Sequence, residues 1–237
     1  MTNPPPVPTL ASYDLLASEY YDAALHPTCA NFRDGSRQAI ETLLPAAAPA
    51  ASCEVGAGDS LLAAIYHGRE LDLSGMLITD CSAAMLEYSR RFVDDSARLV
   101  LAEASRLPVA DETLALVVAS LGDPFDKPDF WAEVARVLTE TGTCVMTVPS
   151  WEWASTFRLP PEPRDAARFD LADRRVVYVE SHIRPPAAQR ELITSHGLSV
   201  VRTCAIPVDR LTLPLSPKLS HLPGSASVVV GYAVQRR

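Results

Sequence analysis

Short apolar runs alternate with longer amphipathic stretches through the middle of the chain. The apolar runs, rich in β-branched residues, predict strands, and the stretches with apolar residues three or four apart predict helices. The predicted strands lie near Ser52–Val55, Gly75–Thr79, Arg98–Ala102, Leu114–Ser120 and Thr143–Val148. The intervening helices lie near Ser60–His67, Ala83–Val93 and Lys127–Leu138. This alternation is typical of a mostly parallel sheet covered by helices on both faces.

The two ends of the chain extend this pattern. Two amphipathic helices are predicted before the first strand, at Thr9–Leu25 and Ala30–Leu44. Near the carboxyl end, a helix from Pro186 to His196 is followed by strands near Ser199–Ile206 and Ala226–Val234. We therefore expect a doubly wound, Rossmann-like α/β fold with a mostly parallel seven-stranded sheet.

One segment breaks the rhythm after the fifth strand. Residues 149–181 carry two tryptophans, several prolines and a run of charges, which favours an insertion that acts as a lid. We expect one domain over residues 9–237, with a disordered start at 1–8 and an amino-terminal helical cap at 9–50.

Composition narrows the class of protein. The 237 residues contain no apolar run of the roughly 20 residues that span a bilayer, and the start of the chain lacks the order of a signal peptide, so we expect a cytoplasmic protein. The five cysteines are widely spread and never form a C-x-x-C pair, which indicates neither a disulfide framework nor a zinc site. A net charge of −8 makes nucleic acid an unlikely partner, because such binding depends on clustered Lys and Arg.

A glycine-rich turn follows the first strand, in the sequence Glu54-Val55-Gly56-Ala57-Gly58. Glycines at such a turn let a ligand approach the backbone, and the following helix start offers unpaired N–H groups. A dinucleotide fingerprint would place a third small residue at position 61, where Leu61 stands. The loop alone is equally consistent with an ordinary tight turn.

Two further acidic residues follow the next two predicted strands. Asp80 comes 22 residues after Gly58, where a carboxylate can accept hydrogen bonds from ribose hydroxyls. Glu103 follows the third strand, and could accept a hydrogen bond from an adenine amino group. Three such features at consecutive strand ends indicate an adenosyl-ligand site rather than solvated loops.

These residues resemble the class I S-adenosylmethionine-dependent methyltransferases, especially the branch that acts on small molecules. The similarity covers about Tyr13 to Pro149 and includes motif-like segments at Tyr13–Asp22, Asp80–Leu86, Ala102–Pro108 and Trp131–Leu138. Ser60 and Glu103 depart from the usual glycine and aspartate. Glu133 and Arg136 in the last segment are expected to be structural.

The resemblance implies S-adenosyl-L-methionine as cofactor. Together with the loop after the fourth strand, it predicts the cofactor-binding residues Tyr13, Tyr20, Tyr21, Glu54, Gly56, Ala57, Gly58, Asp80, Cys81, Met85, Glu103, Ala104, Ser120 and Leu121.

Candidate residues for the methyl acceptor come from the more irregular segments. His182 and His26 are the predicted catalytic bases, because an imidazole titrates near neutrality. The predicted substrate-binding residues are Asp123, Trp151, Trp153, Tyr178 and Arg184. For Asp123 a helix-initiating turn is the favoured alternative, and the aromatic residues would equally pack the insertion onto the sheet.

These features predict an enzyme that methylates oxygen, nitrogen or carbon of a small-molecule substrate. Two alternatives stay open: a methyltransferase for a peptide or tRNA, and a cofactor-binding partner subunit without activity.

Overall fold

A computed structural model describes residues 10–47, 49, 51–158 and 163–237 of the chain. Its strands are β1 Ser52–Val55, β2 Met76–Asp80, β3 Arg98–Leu101, β4 Leu114–Ala119, β5 Leu138–Pro149, β6 Ala166–Asp170, β7 Val176–Glu180, β8 Leu198–Pro207 and β9 Ser227–Arg236. Seven of them form one sheet in the order β3-β2-β1-β4-β5-β9-β8, and β6 pairs with β7 separately. β9 is antiparallel to both neighbours, whereas β1 to β5 are parallel, which confirms the predicted fold class.

The helices are α1 Pro27–Leu43, α2 Leu61–Gly68, α3 Ala83–Leu86, α4 Pro128–Val137, α5 Trp151–Phe157 and α6 Pro186–Thr194. Short 3-10 helices occur at Tyr13–Leu15, Glu87–Phe92, Asp123–Phe125 and Val208–Arg210. None of the helices in the described ranges combines the length and the apolar character needed to cross a bilayer.

Both faces of the sheet are covered by helices and buried. Successive residues of each central strand point to opposite sides, so each strand contributes side chains to both cores. On one face, Leu116 and Val118 of β4 pack with Ile40 of α1 and Leu62 of α2. On the other face, Val117 of β4 packs in a second core with residues of α4 and α6, including Phe130, Trp131 and Ile193. The covered faces explain why the central strands read as continuous apolar runs.

The predicted helix at Thr9–Leu25 is wrong. Thr9 lies outside the described residues, and the rest forms the 3-10 helix Tyr13–Leu15 followed by turns. Local bonds from side chains to the backbone replace helical ones here, since Asp22 Oδ1 accepts from the N–H groups of Ala24 at 2.8 Å and Leu25 at 3.2 Å. The second predicted helix starts earlier than expected, because Pro27 fits a first helical turn.

Residues after β5 form ordered structure where the sequence predicts only an insertion. They contain α5 and the β6–β7 hairpin, and the hairpin packs on the amino-terminal segment. The N–H of Ala11 donates to the carbonyl of Tyr178 at 2.7 Å, and Leu16 packs with Val179. The amino-terminal segment and the insertion thus form one layer at the carboxyl ends of the parallel strands.

Glu133 and Arg136 clamp the loop after β3 onto α4. The buried Glu133 accepts from the N–H of Leu107 at 2.5 Å, and Arg136 Nη2 donates to the same Glu133 oxygen at 2.6 Å. Arg136 also donates to the carbonyl of Val109 at 2.9 Å. The pair therefore has the structural place expected from the sequence.

Replacing Glu133 should cost stability. In Glu133→Ala the buried N–H of Leu107 loses its partner and the guanidinium loses its main ion pair, so we expect the free energy of unfolding to fall by about 2–3 kcal/mol. Urea unfolding measures this value. The exposed Glu140 offers a matched control, since Glu140→Ala should change it by less than about 0.5 kcal/mol. Equal losses in the two variants would contradict the clamp.

Candidate functional site

Two cavities lie at the carboxyl edge of the parallel strands. The smaller, of about 90 Å³, is enclosed by the glycine loop, the ends of β2 and β4, and the amino-terminal segment. We call it the small cavity; it is lined by Tyr13, Tyr20, Tyr21, Arg33, Gly56, Ala57, Asp80, Cys81, Met85, Ser120, Leu121, Pro124 and Phe125. It brings together ten of the fourteen residues predicted to bind cofactor.

Glu54 holds the glycine loop from behind rather than lining the small cavity. Its fully buried carboxylate accepts hydrogen bonds from Ser60 Oγ and from the N–H groups of Leu61 at 3.2 Å and Leu62 at 3.0 Å. A carboxylate at a helix start satisfies N–H groups that lack helical partners. Burial raises the pKa of Glu54 to about 7, and these hydrogen bonds oppose the rise.

Asp80 links the end of β2 to the same loop. One carboxylate oxygen accepts from the N–H of Gly58 at 2.9 Å and the other from the N–H of Ser82 at 2.8 Å. Burial raises the pKa of Asp80, and the backbone hydrogen bonds counteract that effect. Each carboxylate oxygen has a second lone pair, so Asp80 keeps acceptor capacity on the side of the small cavity.

Two aromatic side chains cover the glycines of the loop. Gly56 and Gly58 have φ of +61° and +48°, and a Cβ would overlap the Phe125 ring at Gly56 and the Tyr21 hydroxyl at Gly58. Tyr21 Oη accepts from the N–H of Asp59 at 2.7 Å. The glycines therefore allow both a left-handed turn and a close approach.

The other predicted cofactor residues do not line the small cavity. Gly58 lies beneath Tyr21, and Ala104 packs against the core face that contains α4. Glu103 is exposed in the turn after β3, close to Cys81. Of the acidic residues at the three strand ends, the structure brings only Asp80 to the small cavity.

A larger cavity of about 500 Å³ lies beyond the tyrosines, between α1, α5 and the β6–β7 hairpin. We call it the large cavity; it is lined by Leu25, His26, Pro27, Thr28, Cys29, Phe32, Trp153, Phe157, Arg158, Ala166, Ala167, Arg168, Phe169, Asp170, Pro217 and Lys218. Tyr20 of the small cavity has its ring centroid 6.1 Å from that of Phe169 in the large cavity. The two cavities therefore share an aromatic wall.

The two predicted bases occupy different surroundings. His26 is buried, lines the large cavity and has its Nε2 3.0 Å from Glu19 Oε1. His182 lines neither cavity. Its Nε2 lies 2.8 Å from Glu180 Oε1, and Glu180 also accepts from Lys127 Nζ at 2.9 Å, so His182 belongs to a partly buried polar network outside both cavities.

Of the predicted substrate-binding residues, only Trp153 lines the large cavity. The other four line neither cavity. Trp151 is 40% exposed, and Arg184 Nη1 donates to Asp126 at 2.6 Å. Tyr178 joins the hairpin to Ala11 through its carbonyl.

Asp123 is buried in the 3-10 helix Asp123–Phe125, which fits the helix-initiating turn favoured from the sequence. Its carboxylate accepts a hydrogen bond from Ser181 Oγ. Burial raises the pKa of Asp123 to about 6.

Several cavity residues escape sequence reasoning. Phe125 lies in the loop after β4, and a position at the carboxyl edge of the sheet is a sequence signal for a site residue. The sequence does not indicate that the Phe125 ring packs over Gly56. Arg33 lies on α1, and whether its side chain reaches the small cavity depends on how that helix packs on the sheet. Lys218 and Phe169 come from segments without a regular pattern, and only the tertiary fold brings them to the large cavity.

Comparisons with known proteins agree with this arrangement. A family model described as a methyltransferase domain matches residues 53–146. No curated protein sequence matches the chain.

Solved structures share the fold at low sequence identity. A Listeria monocytogenes protein assigned as an S-adenosylmethionine-dependent methyltransferase is 13% identical with a TM-score of 0.66, covering 88% of this chain and 99% of that one. A Haloferax volcanii protein in complex with the Trm112 methyltransferase activator is 14% identical with a TM-score of 0.66, covering 94% and 95%.

A third structure contains bound ligands. Geranyl diphosphate C-methyltransferase from Streptomyces coelicolor, in complex with Mg²⁺, geranyl diphosphate and S-adenosyl-L-homocysteine, is 15% identical with a TM-score of 0.58, covering 85% of this chain and 78% of that one. The domain match over β1 to β5, the strand order and the glycine loop held by Asp80 agree with one another. Residues 53–146 therefore belong to the methyltransferase-domain family, and the chain as a whole has the fold of S-adenosylmethionine-dependent methyltransferase structures.

Proposed function

We propose that this methyltransferase acts on a small molecule that binds in the large cavity. The observation that carries the proposal is the cavity itself, which has a volume of about 500 Å³, is walled by aromatic side chains and adjoins the small cavity through Tyr20 and Phe169. That volume lies within the range of roughly 300–1,000 Å³ typical of small-molecule sites. A polymer would instead require an open groove, and the net charge of −8 opposes RNA.

The residues of the small cavity fit the cofactor. Asp80 has the remaining lone pairs to accept both ribose hydroxyls, and the left-handed Gly56 permits a ligand close to the backbone. Met85 and Leu121 supply apolar contacts for the adenosyl group. When bound, S-adenosylmethionine supplies an electrophilic methyl group on a sulfonium centre.

The small cavity is closed in this arrangement. Its volume of about 90 Å³ is far below that of typical ligand sites, because Tyr21 and Phe125 fill the space over the glycines. Arg33 stabilises this closure, since its guanidinium carbon lies 5.0 Å from the Tyr21 ring centroid and its Nη2 donates to Asp59 at 2.7 Å. Cofactor binding therefore requires these rings to move.

The chain's own part in the reaction is to orient the acceptor, exclude water and accept a proton. We assign proton acceptance to His26, because it lines the large cavity and Glu19 lies within hydrogen-bond distance of its Nε2. A carboxylate in this position orients the imidazole. The buried surroundings of His26 also limit access of water.

Asp80 is the first test of the cofactor site. In Asp80→Asn an amide NH₂ would face one of the two N–H donors and the charge would be lost, so we expect affinity for S-adenosylhomocysteine to fall about 10- to 100-fold in calorimetry. Asp72 is an exposed aspartate that likewise accepts from a nearby backbone N–H, and Asp72→Asn is the matched control. Unchanged affinity in Asp80→Asn would refute the assignment.

Opening of the small cavity should be visible in hydrogen exchange. Saturating S-adenosylhomocysteine should change the exchange of the Asp59 amide and of residues 13–25, because the hydrogen bond from that amide to Tyr21 must break. Residues 198–202 begin β8 at one edge of the sheet, away from the small cavity, and should show no change. Identical exchange at residues 13–25 with and without ligand would contradict the closed arrangement.

The acceptor class can be tested directly with methyl-labelled S-adenosylmethionine. The protein is incubated separately with a small-molecule ultrafiltrate, a protein fraction and an RNA fraction from one cell extract. We expect label in a product of the ultrafiltrate. Label confined to protein or RNA would overturn the small-molecule proposal.

His26 links that transfer to the large cavity. With the ultrafiltrate as acceptor, His26→Gln should lose at least about 100-fold in rate, as expected for removal of a general base, while S-adenosylhomocysteine binds as before. His221→Gln, which changes a histidine on an exposed loop, is the matched control. Full activity of His26→Gln would rule out its role.

A further inference from the structure

We propose that the acceptor is an aromatic molecule with an oxyanion group, a carboxylate or a phosphate, and that Arg158 and Lys218 bind that group in the large cavity. The inference rests on the proposed function in taking the large cavity as the acceptor site. It adds a chemical class of substrate and two specificity-determining residues.

Arg158 presents an unused edge of its guanidinium. Nη1 donates to the carbonyls of Arg164 at 3.1 Å and Ser181 at 2.8 Å, and Nη2 donates to Ser181 Oγ at 2.6 Å. These bonds use three of five N–H donors. The remaining two N–H groups, on Nε and Nη2, share one edge of the guanidinium and meet no acceptor among the described residues. Arg158 lines the large cavity. Such an edge matches the two oxygens of a carboxylate or phosphate.

No described carboxylate lies within salt-bridge distance of Arg158. Asp123 and Asp165 act on it only from further away, and burial lowers the pKa of Arg158 despite their influence. A largely buried guanidinium without a paired anion is costly unless a ligand supplies one. The bonds to Ser181 and Arg164 hold the group in place for that role.

Lys218 brings a second cation to the same cavity. Its Nζ lies 4.8 Å from the ring centroid of Phe157, and within the described ranges no carboxylate lies within 4 Å of it. The carbonyl of Lys218 accepts from Trp153 Nε1 at 3.3 Å, which fixes the loop over the aromatic wall. Lys218 therefore holds its charge at the cavity without an ion-pair partner from that part of the chain.

The other charged groups of the large cavity are already paired. Arg168 Nη2 donates to Asp170 at 2.8 Å, and His26 faces Glu19. The excess charge in the cavity is thus positive, from Arg158 and Lys218, in a protein whose net charge is −8. A low-dielectric wall strengthens the attraction of such charges for an anion.

The walls favour a flat, apolar body for the rest of the ligand. Trp153 and Phe157 are stacked with ring centroids 5.5 Å apart, and Phe32 meets Trp153 edge-on at 4.8 Å. Phe169 from β6 contributes a further aromatic face. Planar ligands gain from stacking on such faces in addition to burial of apolar area.

Three naphthalene probes separate charge from shape. Naphthoate and naphthyl phosphate carry the anion, and naphthamide is a neutral isostere of naphthoate. Calorimetry on the full chain, with S-adenosylhomocysteine present, should show at least one anionic probe binding about 10-fold or more tightly than naphthamide. The stronger anionic probe identifies the oxyanion. Equal binding of all three, tighter binding of naphthamide, or no binding of any probe would overturn the proposal.

Variants locate the binding to the two cations. Lys218→Gln and Arg158→Lys should each lower affinity for the preferred anionic probe about 10-fold and leave naphthamide unchanged; Arg158→Lys keeps the charge and removes only the fork. Arg69→Gln removes one exposed positive charge elsewhere and should bind like the unaltered protein. Unaltered anion affinity in both Lys218→Gln and Arg158→Lys would overturn the proposal.

Binding of S-adenosylhomocysteine, measured on the same samples, distinguishes a failure of the acceptor assignment from a failure of the proposed function. Intact cofactor binding without selectivity for an anionic probe overturns only the acceptor class. Absence of cofactor binding overturns the proposed function, and the acceptor assignment with it.

Discussion

The site depends on one buried carboxylate, that of Glu54, which has no contact with solvent. It accepts hydrogen bonds from Ser60 Oγ and from the first N–H groups of α2, and these bonds tie the start of α2 to β1. Between them, the chain must turn through two left-handed glycines, Gly56 and Gly58. Asp80 then holds the turn from the neighbouring strand. The backbone of the glycine loop is thus held by carboxylates that lie behind it.

A second layer covers this scaffold and divides the space above the sheet. The tyrosines of the amino-terminal segment line the small cavity, and their outer side meets Phe169 of the hairpin. The large cavity is lined by residues of α1, α5, the hairpin and the loop before β9, and these segments are far apart in the chain. In the proposed function, the small cavity at the ends of the sheet strands holds the methyl donor, and the large cavity between the irregular segments holds the acceptor.

Electrostatics differ between these layers. At the glycine loop, carboxylates are buried but compensated by backbone N–H groups, which suits a ligand with hydroxyl and amino donors. In the large cavity, the uncompensated groups are cations on aromatic walls. The net charge of −8 does not reveal this reversal of charge between the two cavities, because it is a sum over the whole chain.

The sequence by itself determined the seven strands, most helices and the glycine loop after β1, because burial on both faces and glycine turns leave local signals. It also located Asp80, since a strand end is a local feature. It failed at Thr9–Leu25, where turns replaced the helix. The predicted site residues Glu103 and His182 line neither cavity, because their positions depend on packing that their order in the chain does not encode. Which side chains line the large cavity was decided only by the tertiary structure. Phe125, Arg158, Phe169 and Lys218 reach the site through contacts between distant segments, and no local pattern encodes those contacts.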